Sequence, residues 1–371
     1  MTTFLLFACS CSSPSSDKNK AGLSKEAFEK TKDGKQISLW TLKNRNGAEM
    51  SVTNFGGKIV SLLVPDKDGN LVNVVTGYEN IDKYFKSTEA YFGAAIGRVG
   101  NRIAKGQFSL NGKDYVLAVN NGFNHLHGGV QGYHAVVWDA NQVDENTLEL
   151  SYLSKDGEEG YPGNLNVKMT YKLTDDNAFE IHYNATTDKP TVCNLTHHSY
   201  FNLSGEGSDT ILDHVLYINA DSFTVTDETM IPTGEIVPVE GTPLDFRTPT
   251  SIGERIGDSY KPLILGSGYD HNYVIAKKGT GVELAATAFS PVTGIQMDVL
   301  TDQPGVQLYS GNFMNGSEIG ITGKPYKYRS AFCLETQHFP DSPNKPQFPP
   351  IVLNPGEKYQ QTCIYKFSVK K

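Results

Sequence analysis

Hydrophobic and polar residues alternate in short segments along most of the chain, and this pattern predicts β-strands. In residues 167–171 and 179–183 every second side chain is apolar, and those between are polar or charged. A period of two places the apolar side chains on one face of a strand, so we expect two half-buried strands that pair with each other. Helical periodicity is confined to residues 24–32 and 81–86, which we predict to be short helices.

Turn-forming dipeptides separate the alternating segments. Asn111-Gly112 lies between two apolar alternations, and Asn-Gly tolerates the positive φ angles of a tight hairpin turn. Asp68-Gly69 and Asp156-Gly157 predict further turns, and residues 359–369 alternate well enough to form a closing C-terminal strand. The fold class predicted from this pattern is all-β, a large antiparallel β-sandwich.

Composition supports one large domain with a small-molecule ligand. The 371 residues are 38% hydrophobic and include 36 Gly and 18 Pro, which suits many strands joined by turns. Residues 24–371 contain neither a linker nor an internal repeat, so we predict a single domain there. The net charge of −8 and the dispersed Lys and Arg residues argue against a nucleic-acid partner.

The N-terminal residues 1–23 have the character of an export segment. The apolar run at residues 4–8 is followed by Cys9, Ser and Cys11 and then by a polar stretch at 12–20. A small residue before a cysteine resembles a bacterial lipoprotein signal, which would attach the chain to a membrane through a lipidated Cys9 or Cys11 and place it in the periplasm. The alternative is an ordinary tail on a cytoplasmic protein. The five cysteines indicate neither a disulfide framework nor a zinc site.

Six segments are dense in side chains that bind hydroxyl groups or exchange protons. They are Gly-Arg-Val-Gly-Asn-Arg at 97–102, Asn-His-Leu-His-Gly-Gly at 124–129, Asn-Leu-Thr-His-His-Ser-Tyr-Phe-Asn-Leu at 194–203, Gly-Tyr-Asp-His-Asn-Tyr at 268–273, Gly-Val-Gln-Leu-Tyr-Ser-Gly-Asn-Phe at 305–313 and Phe-Cys-Leu-Glu-Thr-Gln at 332–337. Taken together and in this order, they resemble the galactose mutarotase family of aldose 1-epimerases. The resemblance extends from about residue 35 to about residue 369.

The resemblance implies a single β-sandwich domain, an open cleft that binds an aldose, and neither a metal nor an organic cofactor. The residue that matches the general acid of the family is His198, and the one that matches the general base is Glu335. The residues that match substrate-binding positions are Asn101, Arg102, His127, Asp270 and Gln307. One departure is His197, which stands where other members often have Asn, directly beside the acid.

The chemistry of anomer exchange requires these residue types independently of the resemblance. The anomeric hydroxyl must lose a proton while the ring oxygen gains one, so that the ring opens, rotates about one bond and closes on the other face. A carboxylate and an imidazolium can be tuned to perform these two transfers near neutral pH. One base and one acid are therefore sufficient.

Structural roles compete with the catalytic interpretation at several positions. Burying a carboxylate without a role is costly, but Glu335 could form a structural ion pair with Arg102. Asp270 follows Gly268 closely enough to be a turn residue, and Arg98 could be an ordinary structural arginine.

The remaining histidines have the same ambiguity. His125, His134, His182 and His214 are expected to be hydrogen-bonded structural residues. His125 and His127 would share one strand face and could begin a zinc site, although no third ligand stands at a usual spacing.

Two other functions remain open on the same fold. One is an epimerase for hexose phosphates, which would need a cluster of arginines to bind the phosphate, whereas the six arginines are spread from Arg45 to Arg329. The other is a carbohydrate-binding module without catalysis. Dinucleotide binding, serine hydrolysis and phosphoryl transfer are excluded, because their glycine-rich and nucleophile motifs are missing.

Overall fold

The computed structural model describes residues 18–370, and almost all of its regular structure is β-strand. In chain order the strands β1 to β28 are Lys30–Lys32, Lys35–Ile37, Leu39–Lys43, Glu49–Thr53, Lys58–Pro65, Leu71–Asn73, Ala94–Ile96, Arg102–Ile103, Gln107–Leu110, Lys113–Val116, His125–Leu126, Asp139–Asp144, Thr147–Ser154, Leu165–Leu173, Ala178–Thr187, Thr191–Val192, Thr196–His198, Val215–Ile218, Ala220–Thr226, Pro232–Pro238, Thr250–Ser251, Asp270–Ile275, Glu283–Phe289, Ile295–Thr301, Gly305–Tyr309, Cys333–Gln337, Val352–Leu353 and Tyr359–Val369. The predicted all-β class is confirmed.

One layer is a nine-stranded sheet with the order β12-β13-β14-β15-β28-β24-β23-β18-β21. Its ladders are antiparallel. The two strands predicted from alternation are β14 and β15, which pair over their whole length, with Met169 opposite Tyr183. The C-terminal strand β28 lies between β15 and β24. It is therefore the central strand that joins the two halves of the sheet.

The second layer is built from a four-stranded sheet, β3-β4-β5-β6, and a five-stranded sheet, β20-β19-β22-β25-β26. Buried side chains of all three sheets belong to one hydrophobic core, including Met169 of β14, Ile59 of β5 and Leu308 of β25. Alternating inward residues from facing sheets produce such a core in a sandwich. The predicted hairpin is also confirmed, since β9 and β10 pair across Asn111 and Gly112, both with positive φ.

The helices are short and differ in part from the prediction. Helix α1, Ile81–Lys86, forms as predicted and is capped by the Asn80 side chain, which accepts from Lys83 N–H at 3.0 Å. The helix predicted at residues 24–32 is wrong: only Glu26–Phe28 forms a 3₁₀ turn, and β1 follows it directly. Helix α2, Lys261–Gly266, was not predicted because its single apolar turn is too short to show a period. Within residues 18–370 no helix is long and apolar enough to cross a membrane.

Packed structure extends at least to Lys18, six residues before the expected domain boundary at residue 24. Leu23 is buried, and the Asn19 side chain donates to Ser51 Oγ of β4 at 2.8 Å. Residues 18–23 therefore belong to the folded domain rather than to the polar tether that was expected to include them. The apolar run and both N-terminal cysteines, Cys9 and Cys11, lie outside the described residues.

Arg98 is a structural residue at the centre of a buried hydrogen-bond network. Its guanidinium donates to the side chains of Ser154 and Thr191 and to the carbonyls of Pro162, Ser154 and Lys155, at 2.8–3.3 Å. Arg98 is 2% exposed, and the three carbonyls would lose a donor without it. The geometry therefore supports the interpretation of Arg98 as a structural arginine.

We predict that Arg98→Lys destabilises the fold, because a lysine has three donors and cannot satisfy the same five acceptors. Leaving buried acceptors unpaired should lower the free energy of unfolding by roughly 2–4 kcal/mol, measured by urea unfolding. Arg45→Lys is the matched control, since Arg45 contacts Asp175 at the surface, and its stability should equal that of the wild type. Equal stability of both variants would contradict the assignment.

Candidate active site

A cavity of about 190 Å³ collects most of the residues predicted to carry chemistry. Its lining residues come from β22, β25 and β26 of the five-stranded sheet, from the short strands β8, β11 and β17, and from the loops beside them. The lining residues are Glu89, Tyr91, Asn101, Arg102, Asn121, Leu126, His127, His198, Tyr200, Asp270, Tyr309, Phe313 and Glu335. Every predicted site residue except Gln307 is among them.

His198 and Glu335 are brought together by two buried strands. His198 ends β17 and Glu335 is central in β26, and Thr196 of β17 donates to the carbonyl of Thr336 in β26 at 3.0 Å. His198 Nε2 lies 3.5 Å from Glu335 Oε1. Among the described residues Glu335 Oε2 has no hydrogen-bond partner. A buried polar atom is costly to leave unpaired, so Glu335 Oε2 is a candidate acceptor for a hydroxyl group of a ligand.

Burial disfavours charge on both members of this pair. It lowers the pKa of His198, and it raises the pKa of Glu335 well above the usual value, an effect that Asp270 reinforces and Arg102 opposes. Both shifts favour the neutral forms of these groups, an imidazole for His198 and a protonated carboxyl group for Glu335.

His127 enters the cavity from an unusual backbone conformation. Both His127 and Asn101 have left-handed φ angles, of 50° and 60°, which are uncommon for non-glycine residues but which Asn and His tolerate better than most. Asn101 N–H donates to His127 Nδ1 at 3.2 Å. Since Nδ1 accepts, the proton of the neutral ring is on Nε2, which makes His127 a hydrogen-bond donor to the cavity.

Gly128 allows the His127 loop to pack against the neighbouring loop. A Cβ atom at this position would lie 1.7 Å from the carbonyl oxygen of Gly97, and the φ angle is +82°. Only glycine fits this conformation and this distance. The first glycine of the Gly-Gly motif therefore has a steric origin, which is the close approach of two backbone segments.

Asp270 is held by two neighbours. Its Oδ1 accepts from Gln307 Nε2 at 2.7 Å, and its Oδ2 lies 3.7 Å from Arg102 Nη2. Arg102 also donates through Nε to Asn121 Oδ1 at 3.1 Å. Arg102 thus forms its ion pair with Asp270 and not with Glu335. Asp270 is the first residue of β22 and is not a turn residue. Gln307 lies behind Asp270 and supports it.

The zinc site considered for His125 and His127 is wrong. β11 ends at Leu126, so the strand alternation is lost before His127. His125 donates through Nδ1 to the carbonyl of Ala118 and accepts through Nε2 from the Tyr161 hydroxyl, both at 2.6 Å, which leaves no lone pair for a metal.

A different group of metal-binding residue types does converge in the cavity. His127, His198 and Glu335 each offer one ligand atom within 4.8 Å of the others. However, the hydrogen bond from Asn101 to His127 Nδ1 keeps a proton on Nε2, and a protonated nitrogen cannot coordinate a metal. These residues therefore do not fit a metal ion in the conformation that the structure shows.

The other histidines lie outside the cavity. His197 points to the opposite face of β17 from His198, where its ring contacts Tyr171 and Phe179 and its Nδ1 lies 3.0 Å from Ser199 Oγ. Its position beside the acid in sequence does not make it a neighbour in the site. His214 is buried and accepts from Leu203 N–H, His182 contacts Glu180 at the surface, and His134 packs against the ring of Tyr91.

Aromatic residues that the sequence analysis did not select enclose His198. The rings of Tyr91 and Tyr200 stack on its imidazole with centroid distances of 5.7 and 4.8 Å and interplanar angles of 21° and 23°. Tyr200 was signalled by its position two residues after His198 in the same motif, whereas Tyr91 lies in none of the six segments. Tyr309 and Phe313, from the fifth segment, complete this wall.

The fold and the cavity together define a class of protein. An antiparallel sandwich with a cavity of monosaccharide size, lined by amide, guanidinium and carboxyl groups around a carboxyl–imidazole pair, is a sugar-binding protein with the means for acid–base catalysis. The chain belongs to the aldose 1-epimerase family, whose sequence model matches residues 38–366.

Individual relatives agree with this membership. The chain is similar to galactose mutarotase of Sus scrofa, with 45% identity over 320 residues, 86% of this chain and 91% of that protein. It is 38% identical to aldose 1-epimerase of Escherichia coli over 339 residues, 90% of this chain and 96% of that protein. Among solved structures, an aldose epimerase homologue from C. elegans has a TM-score of 0.83 at 31% identity, covering 90% of this chain and 100% of that one.

Proposed function

We propose that this chain interconverts the α and β anomers of free aldoses, with Glu335 as the general base and His198 as the general acid. The observation that carries the proposal is the 3.5 Å separation of a buried carboxyl and a buried imidazole in a cavity of monosaccharide size. Galactose is the first substrate to consider, because the relatives include galactose mutarotases. Glucose differs from it only in the orientation of one hydroxyl group.

The reaction uses the single proton of the pair. With the proton on His198, the Glu335 carboxylate accepts the proton of the anomeric hydroxyl while the imidazolium donates its proton to the ring oxygen, and the C1 to ring-oxygen bond breaks. The open-chain aldehyde then rotates about the C1–C2 bond. Closure reverses both transfers on the other face, so the enzyme ends in its starting state. Each positioned transfer contributes roughly 10²–10⁴-fold.

The other cavity residues hold the sugar for these transfers. His127 supplies an Nε2–H donor, Asp270 supplies an acceptor that Gln307 keeps in place, and Arg102 supplies donors. Tyr91 and Tyr200 fix the plane of the His198 ring. Fixing the acid and the hydroxyl groups before the reaction removes the need to order them during it.

The competing functions fit the cavity less well. Binding a hexose phosphate would bring an anion to a wall that carries the carboxyl groups of Glu89, Asp270 and Glu335, while the guanidinium of Arg102 is engaged by Asp270. A binding module without catalysis would have no use for a buried pair of acid and base, which is costly to desolvate.

We expect the wild-type protein to accelerate the change in optical rotation of fresh α-D-galactose and α-D-glucose. Glu335→Gln and His198→Asn should each lower kcat by roughly 10²–10⁴-fold, because each removes one proton-transfer partner and keeps its approximate volume. Asp270→Ala and Arg102→Ala should in addition raise KM. Wild-type turnover in either of the first two variants would refute the assigned roles, and a polarimetric rate equal to the spontaneous one would refute catalysis.

The dependence of the rate on pH should reflect the one-proton state of the pair. We expect a bell-shaped profile of kcat/KM with a broad plateau across neutral pH. Because burial lowers the pKa of His198, the acidic limb should lie below the ordinary range of a histidine, and because burial raises the pKa of Glu335, the alkaline limb should lie above that of a carboxyl group. A profile that falls steadily between pH 5 and 7 would contradict this. Full activity after prolonged chelation would agree with proton transfer alone.

We also propose that the chain is exported and anchored through a lipid on Cys9 or Cys11, outside the described residues. The support is sequence alone: the apolar run at 4–8, a small residue before a cysteine and the polar residues that follow. Several acyl chains hold a protein on a membrane where a single chain does so only marginally. The enzyme would then equilibrate anomers outside the cytoplasm.

Cell fractionation tests the location. The wild-type protein should sediment with bacterial membranes, and the double variant Cys9→Ser/Cys11→Ser should not. Cys363→Ser, in the folded domain, is the control and should sediment like the wild type. Wild-type protein recovered from the cytosol with Met1 still attached would exclude the proposal.

A further inference from the structure

Glu89 is a carboxylate in the wall of the catalytic cavity for which the mechanism above has no role. It follows α1 and lines both the catalytic cavity and an adjoining cavity of about 160 Å³. Its Oε1 accepts from Tyr91 N–H at 3.2 Å. Burial raises the pKa of the carboxyl group, and hydrogen bonding with Tyr200 acts to lower it. Since the rings of Tyr91 and Tyr200 both stack on His198, Glu89 is attached to the two residues that fix the acid.

Lys58 lies behind Glu89 and is buried, with 2% of its surface exposed. Its Nζ donates to the carbonyl of Ala90 at 2.6 Å and lies 5.8 Å from the ring centres of Phe55 and Tyr84. A lysine so completely removed from water is costly unless it is paired. The nearby carboxylate that opposes this cost is Glu89.

The two groups depend on each other for their charge. Burial lowers the pKa of Lys58 to about 7, and Glu89 acts against this lowering. Burial raises the pKa of Glu89, and the Tyr91 N–H, Tyr200 and Lys58 act against that rise. Loss of either charge therefore makes the other harder to maintain.

We propose that Glu89 is a further substrate-contacting residue that accepts a hydrogen bond from a ring hydroxyl of the sugar, and that Lys58 is a positioning residue that keeps Glu89 ionised. The inference rests on the proposed function and adds a specificity contact to it. Asp270 already has a neighbour for each of its oxygens, Gln307 and Arg102. Glu89 differs, because it borders two cavities and Lys58 favours its ionised form electrostatically, without a salt bridge between the two.

Monodeoxy sugars test the contact directly. Glu89→Ala should lower kcat/KM for galactose by roughly 10- to 100-fold, the usual range for losing a hydrogen bond to a charged group. With the one deoxy sugar that lacks the contacted hydroxyl, the same substitution should have almost no effect. The series is 2-, 3-, 4- and 6-deoxygalactose, and Asp82→Asn, which removes an exposed carboxylate on α1, is the control and should match the wild type throughout.

Lys58→Met tests the positioning role. It should reproduce the direction and the sugar dependence of Glu89→Ala, since Glu89 is harder to keep ionised without the positive charge of Lys58. The double variant Lys58→Met/Glu89→Ala should be no worse than either single variant. Lys58→Arg keeps the charge and should restore most of kcat/KM. A purely structural lysine would change the stability in urea and leave the dependence on the deoxy sugars unaltered, which would overturn its assigned role.

Two results would overturn the contact: wild-type kcat/KM in Glu89→Ala for every sugar, or an equal loss for all of them. The same set of variants and sugars is to be measured by calorimetric binding as well as by turnover. If the wild-type protein binds the sugars without accelerating mutarotation, the proposed function fails, yet the binding data still decide whether one hydroxyl depends on Glu89.

Discussion

Neither Glu335 nor His198 can hold its charge alone in the place where the fold puts it, and the remainder of the site is arranged around that constraint. Each is removed from water by the strands that carry it, and their side chains are 3.5 Å apart. Burial lowers the pKa of His198 and raises that of Glu335, so each group favours its neutral form. The proposed roles of base and acid therefore depend on how close the two groups lie to each other and to the substrate.

The backbone around the pair is held by a hydrogen bond between two strands and by a loop with left-handed φ angles. β17 and β26 carry the two side chains on strands joined by the bond from Thr196 to Thr336. The third side chain, His127, is presented by a left-handed residue next to a glycine that no other residue can replace without overlap. Strain at such positions persists because the surrounding strands determine it. The consequence is a donor whose tautomer and direction are set before any sugar arrives.

The sequence predicts what depends on local pattern and fails where tertiary contacts decide. Alternation located β14 and β15, and the motifs located His198 and Glu335, because strand period and motif order are local properties. Residues 24–32 have helix-forming composition, but Asp33 and Gly34 both take positive φ angles and turn the chain into the hairpin β1–β2, which overrides propensity. In the site, Glu89 and the role of Gln307 could not be predicted for the same reason, because tertiary contacts determine them. A loop supplies Glu89 without any motif, and the partner of Gln307, Asp270, is 37 residues away.

The reaction itself gives a chemical reason why the pair can act without a metal ion. A Lewis acid is valuable where a poor leaving group or a weak nucleophile must be activated, but ring opening of a hemiacetal needs only that one proton leaves and another arrives. His127, the residue that would complete a metal site with His198 and Glu335, is instead held as an Nε2–H donor by Asn101. A donor at this position can bind a sugar oxygen both before the ring opens and after it closes, since opening and closing use the same groups in opposite order. The residue types of this site suit either proton transfer or a metal ion. The backbone hydrogen bond to His127 Nδ1 favours proton transfer, because it keeps the ring proton on Nε2.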